Sequence, residues 1–365
     1  MQPIEVAVIG TGWCGGLRAE ACAKHPLVKG LHLAEIRPER LDEVAAATHP
    51  RSVTADYRAL LDNVAISAVC ICATPEHLHF SMARDCLRSG KHVLLEKPIA
   101  LELDEADELI ALAKSLDLKF TIGYSQRFNP KFAYVKQCVS DGTIGKPVSV
   151  LVSRHITRGL GTKITGRVKL SPAAMESTHD LDFVLWCLEP AKPVRVYSQT
   201  NFGALRQSGL HDVPDLQWCA VTLDSGLTFV VGGGWSLPPG YPNFSSTWIE
   251  VVGTDGAIMV DDTHRDVILS TMSRGTVFPM STMPGEAVGE VFAGPMAIET
   301  AHFVEAVALD RPVLVTPQAA RQVMELYLAA DLSAQTNEPV MLPLANKRPT
   351  SPDLPTPPSD VPASR

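Results

Sequence analysis

Three glycines, Gly10, Gly12 and Gly15 in the stretch GTGWCGG, stand where a chain could bind an anion with its backbone. Gly10 permits a tight turn, Gly12 lets a pyrophosphate approach the backbone, and Gly15 lets a helix pack closely on a strand. The helix that opens there supplies amide donors from Thr11, Trp13 and Cys14 and a partial positive charge. Trp13 and Cys14 are expected exposed beside a ligand and without a chemical role. Twenty residues after Gly15, Glu35 ends a second apolar run, where a carboxylate accepts from both hydroxyls of a ribose. That favours NAD, because a 2′-phosphate would be repelled. Arg37, two residues on, could stabilise such a phosphate, so NADP is the less favoured alternative. Lys97-Pro98 offers a different group, an ammonium on a restricted backbone. It either points into a ligand crevice or lies exposed in a turn.

The elements that must position these residues alternate in type. EVAVIG, LHLAEI, AVCICA, HVLLEK and KFTIGY are near-continuous apolar runs, as strands buried on both faces require. Between the last two, Ala106, Leu109, Ile110, Ala113 and Leu116 share one helical face. This repetition predicts a doubly wound parallel sheet over residues 1–123, the Rossmann arrangement. Thr74, Pro75 and His79, in ATPEHLH, and Glu96 beside Lys97 fall at strand carboxyl ends, where such sheets hold their cofactor. After Tyr124 the texture changes to hairpin-like strands between about 193 and 270, with helices near 173–188, 297–308 and 317–334. Residues 124–345 are therefore read as an α+β domain with a large, mostly antiparallel, open-faced sheet, and the proline-rich residues 346–365 as a disordered tail.

Composition narrows the partners. The chain has 365 residues, 45% of them hydrophobic and 20% charged, with a formal net charge of -8 and no basic cluster, so neither nucleic acid nor an anionic membrane is expected. No apolar run approaches the roughly 20 residues of a membrane span, and the N-terminus lacks the features of a signal peptide, which points to the cytoplasm. The eight cysteines are scattered without metal-ligand spacing and read as reduced, mostly buried thiols. DDTHRD at 261–266 reads as a turn after a strand, and no metal is expected. A small molecule remains the expected partner.

The same segments carry a family resemblance. GTGWCGG, Glu35, TPEHLH, SGKHVLLEKP, GYSQRFNP, GKPVSV and ESTHDLDFVLW, with the later VVGTDGAIMVDD and AADLSAQTNEPVMLP, resemble the glucose-fructose oxidoreductase, inositol dehydrogenase and rhizopine catabolism (Gfo/Idh/MocA) family over about residues 3–345. The resemblance implies hydride transfer between a nicotinamide and a secondary alcohol of a sugar, cyclitol or related polyol. Lys97 is similar to the family lysine that holds the reacting oxygen, and His179 matches the acid/base histidine, imidazole being well suited to exchange protons near neutrality. Asp182, three residues on, shares a helical face with His179 and matches the position that orients a substrate hydroxyl or the histidine. Many relatives carry an aspartate four residues before the histidine; here that residue is Met175. Glu176 either substitutes for it or only caps or solvates the helix.

Tyr124 and Arg127, in GYSQRFNP, match positions facing cofactor or substrate, with a structural clamp as the alternative for Arg127. His155, with Lys163 and Arg167, could reach substrate from the second domain or be solvated surface. Trp235 and Trp248 read as core or subunit-interface aromatics. The open sheet implies a homodimer or homotetramer. Within the family the alternative activities are NAD-dependent glycoside cleavage, cyclic dihydrodiol oxidation, or a non-catalytic dinucleotide sensor.

Overall fold

A computed structural model describes residues 2–165, 169–210, 213–261, 268–277, 287–288 and 291–345. The chain divides into two compact units, Met1–Asn129 with Thr282–Arg321, and Pro130–Ser281 with Gln322–Arg365. In the first, β1 (Ile4–Ile9), β2 (Val28–Ala34), β3 (Ser52–Thr54), β4 (Ile66–Ile71), β5 (His92–Leu95) and β6 (Phe120–Ile122) form a parallel sheet in the order β3-β2-β1-β4-β5-β6. The helices α1 (Trp13–Lys24), α2 (Pro38–Thr48), the single turn α3 (Arg58–Leu61), α4 (His79–Arg88) and α5 (Leu103–Ser115) connect them. Apolar runs become strands because both faces are covered: Val6, Ala7, Val8, Ala68 and Cys70 have no exposed surface. A capping box starts α5, in which the Glu102 side chain accepts from the Glu105 amide and Glu105 returns the bond to the Glu102 amide. The strand order reverses between β1 and β4, and ligands of open α/β sheets bind beyond the carboxyl ends at such a point.

The division departs from a second domain running unbroken over 124–345. The units part between Asn129 and Pro130, and residues 282–321 return to the first. That return carries the paired strands β15 (Ala287–Val288) and β16 (Val291–Phe292) and the helix α9 (Pro295–Ala308). Phe303 and Val304 of α9 complete the core that Val6, Val8, Ala19 and Cys22 begin. Linear order gives no sign of this, because an apolar helical stripe does not say which sheet it will cover.

The second unit contains α6 (Pro130–Ser140), β7 (Pro147–Thr157), α7 (Arg158–Thr165), a π-helical turn (Ala173–Ser177) running into α8 (Thr178–Cys187), and the part of α10 (Pro317–Thr336) from Gln322 onward. Its seven-stranded mixed sheet has the order β12-β11-β7-β10-β9-β8-β17, built from β8 (Pro193–Asn201), β9 (Leu216–Leu223), β10 (Thr228–Leu237), β11 (Ser245–Gly253), β12 (Ala257–Asp261) and β17 (Val340–Met341). Only β7 and β10 run parallel. A separate hairpin joins β13 (Leu269–Thr271) and β14 (Gly275–Val277). Strand alternation sends Arg154, Gln217 and Trp235 to one face of the sheet, where all three are buried, and Tyr197, Trp248 and Met259 to the other, where they are exposed. Arg167, residues 262–266 of DDTHRD and the 346–365 tail lie outside the described residues.

Candidate active site

The glycine loop is built against two neighbours. Gly10 has φ +80°, and a Cβ there would come within 2.6 Å of the Ala73 Cα at the end of β4. A Cβ at Gly15 would overlap the Gly10 carbonyl oxygen, so α1 could not pack where it does. At Gly12 the only atom within 4 Å of a Cβ is Arg37 Nη2 at 3.8 Å, which leaves the backbone open to a ligand. No side chain caps α1, and the amides of Trp13, Cys14 and Gly15 fall in the turn that a helix cannot satisfy from within. Open backbone, unsatisfied amides and a positive helix end fit a dinucleotide pyrophosphate.

Glu35 is buried and braces this loop. Its Oε2 accepts from the Thr11 amide at 2.8 Å and from the Thr11 hydroxyl at 3.2 Å, while Arg37 Nε donates to Oε1 at 3.0 Å. Burial would raise the Glu35 carboxyl, but the hydrogen bonds from Arg37 and Thr11 hold it below the usual carboxylate range. The Arg37 amide and Nη2 donate as well, at 3.1 and 3.3 Å, so five donors already fill the about four acceptor positions of a carboxylate, and a ribose hydroxyl would have to take the place of one of them. The sequence reading missed Arg40, whose Nε donates to the Thr11 carbonyl at 2.6 Å and whose Nη2 donates to that of Gly12 at 3.2 Å. An arginine inside an amphipathic helix gives no sequence signal of this reach. Trp13 is 61% exposed, as expected; Cys14 instead is half-buried against the core. Burial, then the Glu96 charge, push the Cys14 thiol up to about 12, so it stays protonated. All eight cysteines are free, and seven are buried.

Two residues assigned to the cofactor face the protein instead. His79 is fully buried; its Nδ1 lies 2.8 Å from the Pro98 carbonyl oxygen and its Nε2 lies 3.1 Å from that of Ala73. Burial pushes its pKa down, and its ring ties the chain after β4 to the chain after Lys97. The Glu96 carboxylate turns to Arg18, whose Nε and Nη2 both donate to its Oε1, at 2.8 and 2.6 Å. The reason is desolvation: a guanidinium 1% exposed inside α1 demands carboxylate partners. Thr74 is exposed, Pro75 and Lys97 are half-buried, and Tyr124 is 1% exposed. Arg127 is buried on the turn Ser125–Phe128, with Nη1 donating to the Leu314 carbonyl at 3.4 Å.

In the second unit, Glu176 is neither a cap nor a solvated surface group. It is buried, and its Oε1 accepts from Trp235 Nε1 at 3.1 Å. Met175 is buried among Ile156, Ile164, Leu205, Val213 and Trp235, so position 175 serves packing. The wide turn Ala173–Ser177 ends between Glu176 and His179, which shifts the i, i+3 relation that an unbroken α-helix would give them. His179 is half-buried and Asp182 has no exposed surface. Asp180 accepts from Arg154 Nε at 2.8 Å and Nη2 at 2.6 Å, an interaction that the sequence did not announce. Gln217 steadies the same segment: its Oε1 accepts from the Ala173 amide at 3.1 Å, and its Nε2 donates to Asp331 Oδ1 at 3.0 Å. His155 does not join this face. Strand alternation puts it opposite Arg154, with Nδ1 2.8 Å from Ser236 Oγ and Nε2 3.1 Å from Ser153 Oγ. Lys163 is exposed on α7.

The family model described as "Oxidoreductase family, NAD-binding Rossmann fold" matches residues 4–124, and "Oxidoreductase family, C-terminal alpha/beta domain" matches residues 136–342. The chain belongs to the Gfo/Idh/MocA oxidoreductase family. It is 26% identical over 338 residues to the UDP-N-acetylglucosamine 3-dehydrogenase of Acidithiobacillus ferrooxidans, covering 92% of this chain and 98% of that protein. It is 24% identical over 345 residues to the scyllo-inositol 2-dehydrogenase (NAD(+)) of Bacillus subtilis, covering 93% and 96%. The crystal structure of scyllo-inositol dehydrogenase from Lactobacillus casei with bound NAD(H) and scyllo-inositol shares the fold, with TM-score 0.80, 22% identity and coverage of 93% and 99%. This Gfo/Idh/MocA chain is thus an oxidoreductase, and NAD is its cofactor. Among the described residues no helix is long and apolar enough to cross a membrane, and no group of three or more His, Cys, Asp or Glu could hold a metal.

Proposed function

We propose that the protein is an NAD-dependent dehydrogenase that oxidises a secondary alcohol of a cyclitol or sugar. The observation that carries this reading is the pairing of an NAD cradle with Lys97 at the next strand end but one, in a chain whose relatives include inositol and sugar-nucleotide dehydrogenases. When bound, NAD accepts the hydride from the alcohol carbon. Lys97 holds the reacting oxygen and stabilises the alkoxide charge that develops there. His179 takes the hydroxyl proton as general base, and returns it when the reaction runs in reverse. Asp182, which has no exposed surface, orients His179 from the same helix, and Glu176, held by Trp235, supplies the carboxylate that relatives carry one residue earlier. Tyr124 and Arg127, both in the glycine-loop unit, are assigned to cofactor or substrate. The exposed sheet face with Tyr197, Trp248 and Met259 suits a second copy of the chain, as a homodimer or homotetramer in the cytoplasm.

The experiment is a panel of inositols, hexoses and sugar nucleotides, scored by the appearance of reduced nicotinamide with NAD+ and with NADP+. Turnover with NAD+ is expected on at least one cyclitol or sugar, and Lys97→Ala is expected to lower it by about 10²- to 10⁴-fold, the range of a lost acid/base group. Turnover that survives Lys97→Ala undiminished would remove the lysine from the reaction.

A further inference from the structure

Arg18 is among the most completely buried large side chains of the protein, yet it lies on the helix that carries the glycine loop. Its guanidinium collects partners from two distant segments. Nε and Nη2 donate to Glu96 Oε1 at 2.8 and 2.6 Å; Nη2 also donates to Glu299 Oε2 at 2.7 Å; and Nη1 donates to Thr300 Oγ1 at 3.0 Å. Thr300 and Glu299 sit on α9, which the chain returns to this unit some 170 residues after leaving it. Gly123 leaves room for the cluster: a Cβ there would come within 2.8 Å of Glu96 Oε2 and 3.1 Å of Arg18 Nη2. Glu96 is also pinned by its backbone, with its amide donating to the Ile71 carbonyl at 2.9 Å. The next residue is Lys97.

We infer that Arg18 and Glu96 form a positioning pair that sets the direction in which Lys97 leaves β5, with Glu299 serving as the second counter-charge of the guanidinium. The inference rests on the proposed role of Lys97. Two hydrogen bonds from one rigid fork to one carboxylate oxygen fix where the Glu96 side chain lies. With side chain and amide both held, the backbone that carries Lys97 has little freedom left. The two carboxylates differ in what they can reach. Glu96 is covalently adjacent to the lysine, whereas Glu299 lies on α9 and is tied to Glu96 through Arg18. If the pair positions Lys97, the two carboxylates must have unequal effects on turnover although both pair with one buried guanidinium.

Glu96→Gln and Glu299→Gln test this in the full-length protein, alongside Lys97→Ala. Both glutamine variants are expected to lower the melting temperature. Only Glu96→Gln is expected to lower kcat, by about ten- to a hundredfold, with the NAD+ dissociation constant measured by calorimetry within about threefold of wild type. A readout independent of turnover is the NMR resonance of Lys97 after ¹³C reductive methylation of the cofactor-free protein, which should move in Glu96→Gln and stay in Glu299→Gln. Equal losses of kcat in the two variants, or an unmoved resonance in Glu96→Gln, would overturn the inference. If Glu96→Gln does not fold, Glu96→Asp keeps the charge while withdrawing the oxygens from Arg18, and the same inequality is required of it. Should Lys97→Ala retain full turnover, the reading of Lys97 fails; should it lose turnover while the glutamine variants match, only the positioning pair fails.

Discussion

The segment that presents Lys97 and the turn that leads into the His179 helix are held by different chemistry. In the glycine-loop unit, charge does the holding: one buried guanidinium, two carboxylates and a threonine hydroxyl tie the exit of β5 to α1 and α9. In the other unit, α8 has its own buried ion pair, Arg154 with Asp180, but the turn before it is held by neutral groups: the Trp235 indole N–H donates to Glu176, and the Ala173 amide donates to the Gln217 carboxamide oxygen. The charged arrangement is directional and costly to leave incomplete, because any charge without its partner stays in a medium that solvates it poorly. The neutral arrangement stakes less on each contact. A lysine on a strand end has only its backbone to steer it, whereas a histidine on a helix inherits its direction from the helical repeat.

The contrast can be broken where it is strongest. Arg18→Met leaves half-buried Glu96 and buried Glu299 without their cation and is expected to cost about 3–5 kcal/mol in urea unfolding, the usual size for a broken buried pair. A loss under about 1 kcal/mol would show that the cluster relaxes to solvent and braces nothing.

Asp331 sharpens the comparison, since it is the ionisable group behind the neutral network. Burial raises its carboxyl to about 6 from 3.8, against the hydrogen bonds from Gln217 and Ser171 that favour the ionised form. The folded state therefore holds this proton more tightly than the unfolded chain. Its contribution is complete below about 3.8 and is lost as pH rises through about 6. Wild type relative to Asp331→Asn should lose at most about 3 kcal/mol across that window, at about 1.4 kcal/mol per pK unit. A difference in urea midpoints that is flat with pH would show Asp331 to be an ordinary carboxylate.

The smallest effect is expected from Trp235→Phe, which keeps the ring and removes the donor to Glu176. Leaving a buried acceptor short of one donor costs about 1–3 kcal/mol, read as a shift in denaturant midpoint. Turnover should fall with it, because the Glu176 carboxylate loses the donor that fixes its place. A shifted midpoint with unchanged kcat would leave Glu176 structural.

Much of the architecture was legible in the sequence. Runs such as EVAVIG and AVCICA announce strands covered on both faces, and GTGWCGG followed by Glu35 announces the cradle, because each signal is local and needs only its neighbours in the chain. His79 and Glu96 misled for the converse reason. Their places at strand ends are those of ligand-binding groups, and nothing nearby in sequence reveals that a backbone carbonyl or a buried arginine has claimed them first. His155 shows the same limit: the strand was legible, but which of its two faces packs on α8 was not. The break at Glu176 was hidden because a π-helical turn differs from an α-helical one by a single hydrogen-bond step, with no composition of its own.

The family resemblance, not spacing, marked out Lys97 and His179; residue spacing was enough to predict a parallel nucleotide-binding sheet with a glycine loop and an acidic residue after its second strand. Those features follow from patterns repeated over a few residues. The return of α9 to the first unit, the three-segment cluster at Arg18, the Trp235 bond that gives Glu176 its place and the burial of Met175 emerged only on folding. Each depends on residues dozens to hundreds of positions apart. Desolvation, which no single segment can specify, decides which polar group must pair with which.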